Sequence, residues 1–171
     1  MATPETLHQW DFQHVWHPFT QAIEWEAAGE PLIIESAEGC TLIDVHGNRY
    51  LDGISSLWTN VHGHQNPVIN QAICDQVHKV SHTTMLGQAG VPSIVLAKRL
   101  SDLLQRIPGD GAPLTRTFYS DSGSTSVEVA LKMAFQYQQQ VGQNDRRRFA
   151  ALSEAYHGDT IGSVSVGGID L

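Results

Sequence analysis

The chain has 171 residues, enough for one ordinary domain, and its 18 acidic and 10 basic residues give a formal net charge of -8. This acidic balance argues against binding nucleic acid or an anionic membrane by bulk electrostatics, so small molecules or proteins are the expected partners. The first residues lack the basic and apolar regions of a signal peptide, and no apolar run is long enough to cross a bilayer. We therefore expect a cytoplasmic protein in which Cys40 and Cys74 are reduced and buried.

Residues 1–60 are expected to form an N-terminal arm and a small antiparallel sheet. A weak helical pattern covers residues 5–15, and Pro18 then disfavours helix at His17. Short β segments follow at residues 32–34, 40–44 and 49–52. Gly47 and Asn48 lie between the last two segments, and both residue types tolerate the positive φ of a hairpin turn. The pattern predicts a three-stranded β-meander.

Residues 61–171 are expected to begin a larger α/β domain. Asn66 and Pro67 predict the N-cap and first residue of a helix that ends near residue 79, and Pro92 opens another that ends near residue 106. A third helix, from Gly123 to about residue 140, lies between predicted strands at 114–119 and 148–152. A strand, a helix and a second strand at this spacing favour a crossover between parallel strands. The apolar faces expected to be buried are Val68, Ala72, Ile73 and Val77 on the first helix and Val127, Ala130, Leu131 and Ala134 on the third.

A hydroxyl-rich turn precedes the third helix, and we interpret it as a seat for a phosphate group. Backbone N–H groups at a helix N-terminus have no intrahelical partner and share the positive end of the helix dipole. Gly123 lets the backbone approach an anion closely, and the hydroxyls of Ser122 and Ser124 are additional donors. The same turn also fits an ordinary helix start, with Thr125 and Glu128 as a capping box.

Tyr156 follows the second predicted strand, so it should emerge at the same sheet edge as the phosphate seat. Open α/β sheets place their ligands at the carboxyl ends of strands. We favour a role for the Tyr156 ring in stacking on a flat cofactor over the alternative of a loop anchor. For Asp159 we favour a helix N-cap.

The nine histidines of the sequence raise the question of a metal site. His62 and His64 have ligand-like spacing, as do His78 and His82 at i and i+4. Neither pair belongs to a complete set of ligands, because no HExxH motif or cysteine cluster accompanies it. We therefore expect ordinary polar or capping histidines and no metal.

Four segments together resemble the class III pyridoxal-phosphate-dependent aminotransferases: residues 14–20, 52–56, 121–124 and 156–160. The Ser-Gly-Ser turn and the Tyr-His-Gly-Asp segment are shared by many members of this family. The Trp-His-Pro arm is similar to the branch that converts 8-amino-7-oxononanoate to 7,8-diaminononanoate in biotin biosynthesis. The likeness extends over essentially the whole sequence.

The resemblance implies the N-terminal part of a fold type I α/β transferase that forms a homodimer and uses pyridoxal 5'-phosphate. The cofactor-binding residues that it implies are Ser122, Gly123, Ser124, Tyr156 and His157. The substrate-binding residues that it implies are Phe19, Leu57, Trp58 and Tyr156.

Two positions depart from the members of the family that use S-adenosylmethionine as amino donor. Those members usually carry Tyr where this sequence has Phe19 and Trp where it has Leu57. Loss of that hydroxyl and that large ring weakens recognition of an adenine-bearing donor. We therefore expect lysine as the amino donor.

No lysine of this sequence suits covalent attachment to the cofactor. Lys79 and Lys98 should lie on helix surfaces, and Lys132 should form an ion pair with Glu128 four residues earlier. The resemblance places the catalytic lysine and the cofactor aspartate beyond residue 171, so we expect an N-terminal fragment without turnover of its own. The alternatives are a catalytically silent fragment that binds phosphate or dimerises, another class III aminotransferase, or a metal-binding module built on the histidines.

Overall fold

A computed structural model describes residues 2–107, 109 and 111–168. The chain divides into two compact units, Met1–Thr83 and Thr84–Leu171. The domain limit expected at residue 60 stays a prediction. No helix in the described part of the chain combines the length and the hydropathy that a membrane span requires.

The first unit begins with two helices, α1 over Pro4–His14 and α2 over Ala22–Ala27. Helix α1 starts at residue 4 because Thr3 is its N-cap: the Thr6 N–H donates to Thr3 Oγ1 at 3.3 Å, and Pro4 needs no hydrogen-bond partner at the first helical position. The helix predicted over residues 5–15 is confirmed. Helix α2 was not predicted, because its six residues are too few for a clear periodicity.

The predicted meander is confirmed as a three-stranded antiparallel sheet in the order β1-β2-β3. Strand β1 covers Ile34–Glu38, β2 covers Thr41–Asp44 and β3 covers Arg49–Leu51. The first strand therefore lies later in the chain than the apolar residues 32–34 indicated. Gly47 has φ 82° in the turn between β2 and β3, as the turn chemistry predicts.

The side chain of Asp44 fixes this turn. Its Oδ1 accepts the N–H groups of His46 at 2.9 Å and Asn48 at 2.8 Å, and its Oδ2 accepts the Asn48 side chain at 2.9 Å and the Tyr50 hydroxyl at 3.0 Å. Burial opposes ionisation, but the hydrogen bonds from Asn48, Tyr50 and His46 outweigh it and lower the pKa of Asp44 to about 2. The ionised carboxylate therefore holds the turn at neutral pH.

Two further helices complete the first unit. A single turn, α3, covers Ser55–Trp58, and α4 covers Pro67–Lys79. Asn66 Oδ1 accepts the N–H groups of Val68 at 3.1 Å and Ile69 at 3.3 Å, which confirms the predicted start of α4.

The second unit contains α5 over Val91–Leu104, α6 over Gly123–Gln140 and a short α7 over Ile161–Ser165. The predictions for α5 and α6 are confirmed. The predictions of strands at 114–119 and 148–152 are wrong for the described residues, where both segments are irregular. Neither pairs with a neighbouring strand among the described residues, and a strand exists only as part of a ladder. The parallel pairing predicted for them is therefore not formed.

No hydrophobic side chain is buried among the described residues, and the total accessible surface is 14398 Å². The apolar face predicted for α4 is exposed accordingly, at 77% for Val68 and 57% for Ile73. Cys40 and Cys74 are also exposed, so the prediction of buried thiols is wrong. The physical reason is the same in each case: nothing packs over these faces.

We predict that Asp44→Asn loosens the β2–β3 turn, because the neutral amide cannot accept all four hydrogen bonds. Hydrogen exchange at neutral pH should speed up by about tenfold at the amides of His46 and Asn48. Because the folded pKa lies below the ordinary value, the stabilisation in the wild type is complete above 3.8 and is lost as the pH falls toward about 2. Amide chemical shifts of the turn should follow that window.

Asp75→Asn is the matched control, since this carboxylate lies on the exposed surface of α4 and accepts a hydrogen bond from Gln71. It should leave exchange in the turn unchanged. Unchanged exchange in Asp44→Asn as well would contradict the role given to Asp44.

Candidate cofactor-binding site

Helix α6 begins with a capping box built from Ser122 and Thr125. The Thr125 N–H donates to Ser122 Oγ at 3.2 Å, and the Ser122 N–H donates to Thr125 Oγ1 at 2.9 Å. The capping box predicted from Thr125 and Glu128 is therefore wrong. The N-cap is Ser122, three residues before Thr125, and Thr125 is the partner in the box. The hydroxyl of Ser122 is used inside the chain, as a cap.

Two amides remain available at the N-terminus of α6. The N–H groups of Gly123 and Ser124 have no hydrogen-bond partner among the residues that the structure describes. A Cβ built on Gly123 meets no atom within 4 Å, so open space lies in front of this backbone. Unpaired amides at the positive end of an 18-residue helix make a site that fits a phosphate group.

The hydroxyl of Ser124 ties the start of α6 to the segment that precedes α7. It accepts the Thr160 N–H at 2.9 Å, donates to Thr160 Oγ1 at 2.9 Å and lies 2.7 Å from Ser163 Oγ. Ser163 is fully buried, with 0% of its surface exposed. The hydroxyl of Ser124 is thus occupied by the fold, and its backbone N–H is the group left for a ligand.

Gly158 brings the Tyr156–Asp159 segment directly against this helix end. It has φ 116°, and a Cβ built on it would lie 2.5 Å from Ser124 Cβ and 2.7 Å from Ser124 Cα. Only glycine combines this φ with such a close approach. The two segments that the sequence marked as cofactor-binding are therefore neighbours in the structure.

Tyr156 stands beside this contact with 66% of its surface exposed. Its hydroxyl donates to Asp159 Oδ2 at 2.7 Å, and this hydrogen bond raises the pKa of Tyr156. Asp159 is not a helix cap, because the N-cap of α7 is Thr160, so that prediction is wrong by one residue. Tyr156, His157, Gly158 and Asp159 line one side of a small pocket.

Glu128 anchors the start of α7 from the side of α6. Its Oε1 accepts the Gly162 N–H at 2.7 Å. A hydrogen bond from the Thr160 side chain, followed by the one from Gly162, lowers the pKa of Glu128, and the attraction of Lys132 contributes least. The expected ion pair between Glu128 and Lys132 is not among the close ion pairs of the described residues. The carboxylate turns toward α7 because the backbone N–H there has no other partner.

Phe19 belongs to the first unit and is 97% exposed, with φ 53°. The arm that carries it is held to α1 through Asp11. His17 Nε2 lies 3.0 Å and 3.1 Å from the two oxygens of Asp11, and the Trp25 Nε1–H donates to Asp11 at 3.1 Å. The backbone on either side of Phe19 is thus positioned while its ring stays in solvent.

Leu57 and Trp58 lie on α3, a strained turn. Ser55, Ser56, Leu57 and Trp58 all have positive φ, between 47° and 71°. A left-handed turn costs about 1–2 kcal/mol per non-glycine residue, so surrounding contacts must hold it. Both predicted substrate residues are exposed, Leu57 at 62% and Trp58 at 77%.

Asp52 supplies those contacts. Its Oδ1 accepts the Ser56 N–H at 2.8 Å, and its Oδ2 accepts the Ser56 hydroxyl at 2.9 Å and lies 2.8 Å from His64 Nε2. The hydrogen bond from the Ser56 backbone, followed by the one from His64, lowers the pKa of Asp52. The ionised Asp52 therefore holds the turn that presents Trp58.

The structure thus joins Gly123, Ser124, Tyr156 and the residues beside them, while Phe19, Leu57 and Trp58 lie in the other unit. Thr160 and Ser163, which link the cofactor segments, were missed as site residues. Thr160 belongs to the segment 156–160 that resembles the family, so the sequence could have indicated it. Ser163 belongs to no motif, because a serine in a short helix is common at surface positions.

The three lysines lie on helix surfaces, as predicted. Lys79 is the exposed last residue of α4 and Lys132 is exposed on α6. Lys98 forms an i, i+4 ion pair with Asp102, with Nζ 2.6 Å from the carboxylate.

The structure thus has two unpaired amides at the start of α6 with a Tyr-His-Gly-Asp segment packed against them, and comparison with known families shows where this combination occurs. The family described as aminotransferase class-III matches residues 25–170. The chain belongs to the class III aminotransferase family. Members of this family use pyridoxal phosphate.

Individual relatives narrow the likeness. The adenosylmethionine-8-amino-7-oxononanoate aminotransferase of Nitratidesulfovibrio vulgaris is 58% identical over 167 residues, which are 96% of this chain and 30% of the relative. The relative of the same name from Geobacter sulfurreducens is 51% identical, over 98% of this chain and 35% of its own.

Solved structures agree with the sequence relatives. The adenosylmethionine-8-amino-7-oxononanoate aminotransferase from Methanocaldococcus jannaschii has a TM-score of 0.88 at 45% identity, covering 96% of this chain and 36% of that chain. An (S)-enantioselective omega-transaminase from Thermomicrobium roseum also has a TM-score of 0.88, at 31% identity, covering 99% of this chain and 36% of that chain. The likeness confirms the predicted fold class, the N-terminal part of a fold type I transferase. The chain spans about a third of the length of these proteins.

We predict that Gly158→Ala destabilises the protein, because the new methyl group overlaps the backbone of Ser124 and the positive φ is strained for alanine. The free energy of unfolding should fall by at least about 2 kcal/mol in denaturant titrations. Gly111→Ala is the control, since a Cβ there meets nothing within 4 Å. Equal stability of the two variants would show that the Tyr156–Asp159 segment is not packed on α6.

Proposed function

We propose that this protein is the aminotransferase of biotin biosynthesis that converts 8-amino-7-oxononanoate to 7,8-diaminononanoate with pyridoxal 5'-phosphate. Family membership and the names of the relatives support the reaction. The observation that carries the assignment is the pair of unpaired amides at Gly123 and Ser124, at a helix start that is packed against the Tyr156 segment and where a Cβ on Gly123 would meet open space.

In this proposal the amides of Gly123 and Ser124 bind the cofactor phosphate without any basic side chain. Ser122 supports them as the helix cap. Tyr156 lies against the pyridine ring and His157 lines the same pocket. The bound cofactor supplies an electron sink for transfer of the amino group, and the protein supplies position and protonation.

The substrate has a nine-carbon chain with a terminal carboxylate, so much of its surface is apolar. Phe19, Leu57 and Trp58 are exposed, so their apolar surface is free to contact that chain. Burying it against the substrate would favour binding. Tyr156 is the fourth residue that we propose as a substrate contact. Asp52 and Asp11 act indirectly, since each holds the backbone from which one of these side chains projects.

We propose lysine as the amino donor. Phe19 has no hydroxyl, and Leu57 has no ring for stacking on an adenine. Both departures weaken binding of S-adenosylmethionine relative to lysine.

We further propose that the protein works as a homodimer. Large hydrophobic side chains are widely exposed, among them Ile23 at 84%, Leu86 at 89% and Ile161 at 89%. Exposed apolar surface of this kind marks places where further protein binds.

The second candidate is a protein that binds pyridoxal phosphate without catalysis. The unpaired amides of Gly123 and Ser124 favour it, since backbone amides can bind a phosphate group without supplying a reactive side chain. The two candidates differ in amino-group transfer by the full-length protein.

We predict that Gly123→Ala weakens binding of pyridoxal phosphate by about tenfold, because the methyl group adds bulk at the backbone that the phosphate approaches. Folding should be unaffected, since the Cβ meets no protein atom within 4 Å and alanine favours the helix. Fluorescence or absorbance titration of the full-length apoprotein measures the dissociation constant. Gly111→Ala should bind like the wild type. Equal affinity of the wild type and both variants would contradict phosphate binding at the start of α6.

We predict that lysine bleaches the absorbance of the bound cofactor in a single turnover and that S-adenosylmethionine does so much more slowly. The paired variant Phe19→Tyr with Leu57→Trp should gain a response to S-adenosylmethionine of about tenfold, because it restores a hydroxyl and a large ring. Bleaching by S-adenosylmethionine but not by lysine in the wild type would refute the donor assignment.

Bleaching by neither donor, with no conversion of 8-amino-7-oxononanoate, would refute the proposed aminotransferase activity. It would favour the second candidate, a protein that binds pyridoxal phosphate without catalysis.

A further inference from the structure

Three side chains with metal-ligand chemistry meet in the first unit. His8 lies on α1, Glu30 lies in the segment between α2 and β1, and His46 lies in the turn between β2 and β3. One ligand atom from each side chain lies within 4.8 Å of the other two. This group is separate from the predicted cofactor residues, which belong to the other unit, and from the histidine pairs that sequence spacing had raised.

His8 is the buried member of the group, and its hydrogen bonding is incomplete. Only 9% of its side chain is exposed. Its Nδ1 lies 3.6 Å from Glu30 Oε2, which is too long for a hydrogen bond, and its Nε2 is buried without a hydrogen-bond partner. A buried imidazole in this state carries a desolvation cost that a bond to a metal ion at one nitrogen would offset.

The other two members are able to adjust around it. Glu30 is 75% exposed, and His46 is exposed in its turn. The His46 ring stands edge-on to His8, with ring centroids 5.7 Å apart. Zinc bonds of about 2.0–2.2 Å to nitrogen and oxygen require ligand atoms roughly 3.3 Å apart, so movements of about 1 Å close the site.

Asp44 fixes the backbone that carries His46. It accepts the N–H groups of His46 and Asn48, so the turn is held in place while the exposed His46 side chain can still adjust.

We propose that His8, Glu30 and His46 bind one zinc ion or a similar divalent transition-metal ion. Two imidazole nitrogens and one carboxylate oxygen are a donor set that zinc accepts, with a water molecule in the fourth position. The ion joins α1, the segment after α2 and the β2–β3 turn. Magnesium is a poor occupant, because it prefers an all-oxygen octahedral set.

Sequence spacing gives no sign of this group. Its members are separated by 22 and 16 residues, and zinc motifs rely on pairs a few residues apart. The expectation of no metal rested on such pairs alone.

Calorimetric titration of the metal-free, full-length protein with Zn²⁺ tests the proposal, and visible absorption of bound Co²⁺ reports the geometry. The wild type should bind one equivalent that depends on this group. Loss of an outer-shell partner weakens metal sites by about 10–100-fold, so His46→Ala and Glu30→Gln, which remove ligands themselves, should weaken Zn²⁺ by at least that factor. Both residues are exposed, so neither substitution should prevent folding.

His78→Ala is the matched control, because His78 is exposed on α4 and its Nδ1 contacts the Cys74 carbonyl of its own helix. It should bind Zn²⁺ like the wild type. Absence of saturable Zn²⁺ binding, retention of full affinity in His46→Ala and Glu30→Gln, or equal binding of Mg²⁺ would each overturn the proposal. The outcome is independent of amino-group transfer and of pyridoxal phosphate.

Discussion

The hydroxyl contacts among Ser124, Thr160 and Ser163 hold the second unit in the form that a cofactor site requires. They occupy the side chain of Ser124 and so leave its backbone N–H, with that of Gly123, as the unpaired donors at the start of α6. They also bring Gly158 onto the helix end, where a larger residue has no room. Together with the hydrogen bond from the Gly162 N–H to Glu128, these contacts place the Tyr156 segment beside the start of α6.

A second constraint is the large apolar surface of the chain. Two compact units form, with a capped helix, a hydrogen-bonded sheet and a strained turn held by Asp52, although no hydrophobic side chain is buried among the described residues. Local hydrogen bonds to Asp44, Asp52 and Asp11 therefore fix much of the backbone of the first unit. Ionised aspartates suit that task, since charge-assisted hydrogen bonds are stronger than neutral ones.

The sequence predicted those elements whose start and stop signals are local. Asn66 and Pro67 marked the start of α4, Gly47 marked the hairpin, and the Ser-Gly-Ser turn marked α6, all with physical causes within a few residues. Predictions that needed distant partners were wrong: the strands at 114–119 and 148–152 and the burial of Cys40 and Cys74. Periodicity records which face is apolar and says nothing of whether a neighbour covers it.

The site shows the same division. Gly123 and Tyr156 could be proposed from the sequence because a glycine before a helix and a Tyr-His-Gly-Asp segment are local patterns. The cap of α6, the role of Glu128 and the contact of Ser163 depend on which residues from another segment arrive there. The group of His8, Glu30 and His46 is the extreme case, since its members come from three elements and share no motif.

The central claim is that the backbone at the start of α6 and the Tyr156 segment together bind one phosphorylated cofactor. Amide chemical shifts of the full-length apoprotein, followed during titration with pyridoxal phosphate, test it most directly. The account predicts that the largest shifts occur at Gly123, Ser124 and His157, with inorganic phosphate reproducing those at Gly123 and Ser124 alone. Saturable binding that leaves these three amides unshifted would contradict it.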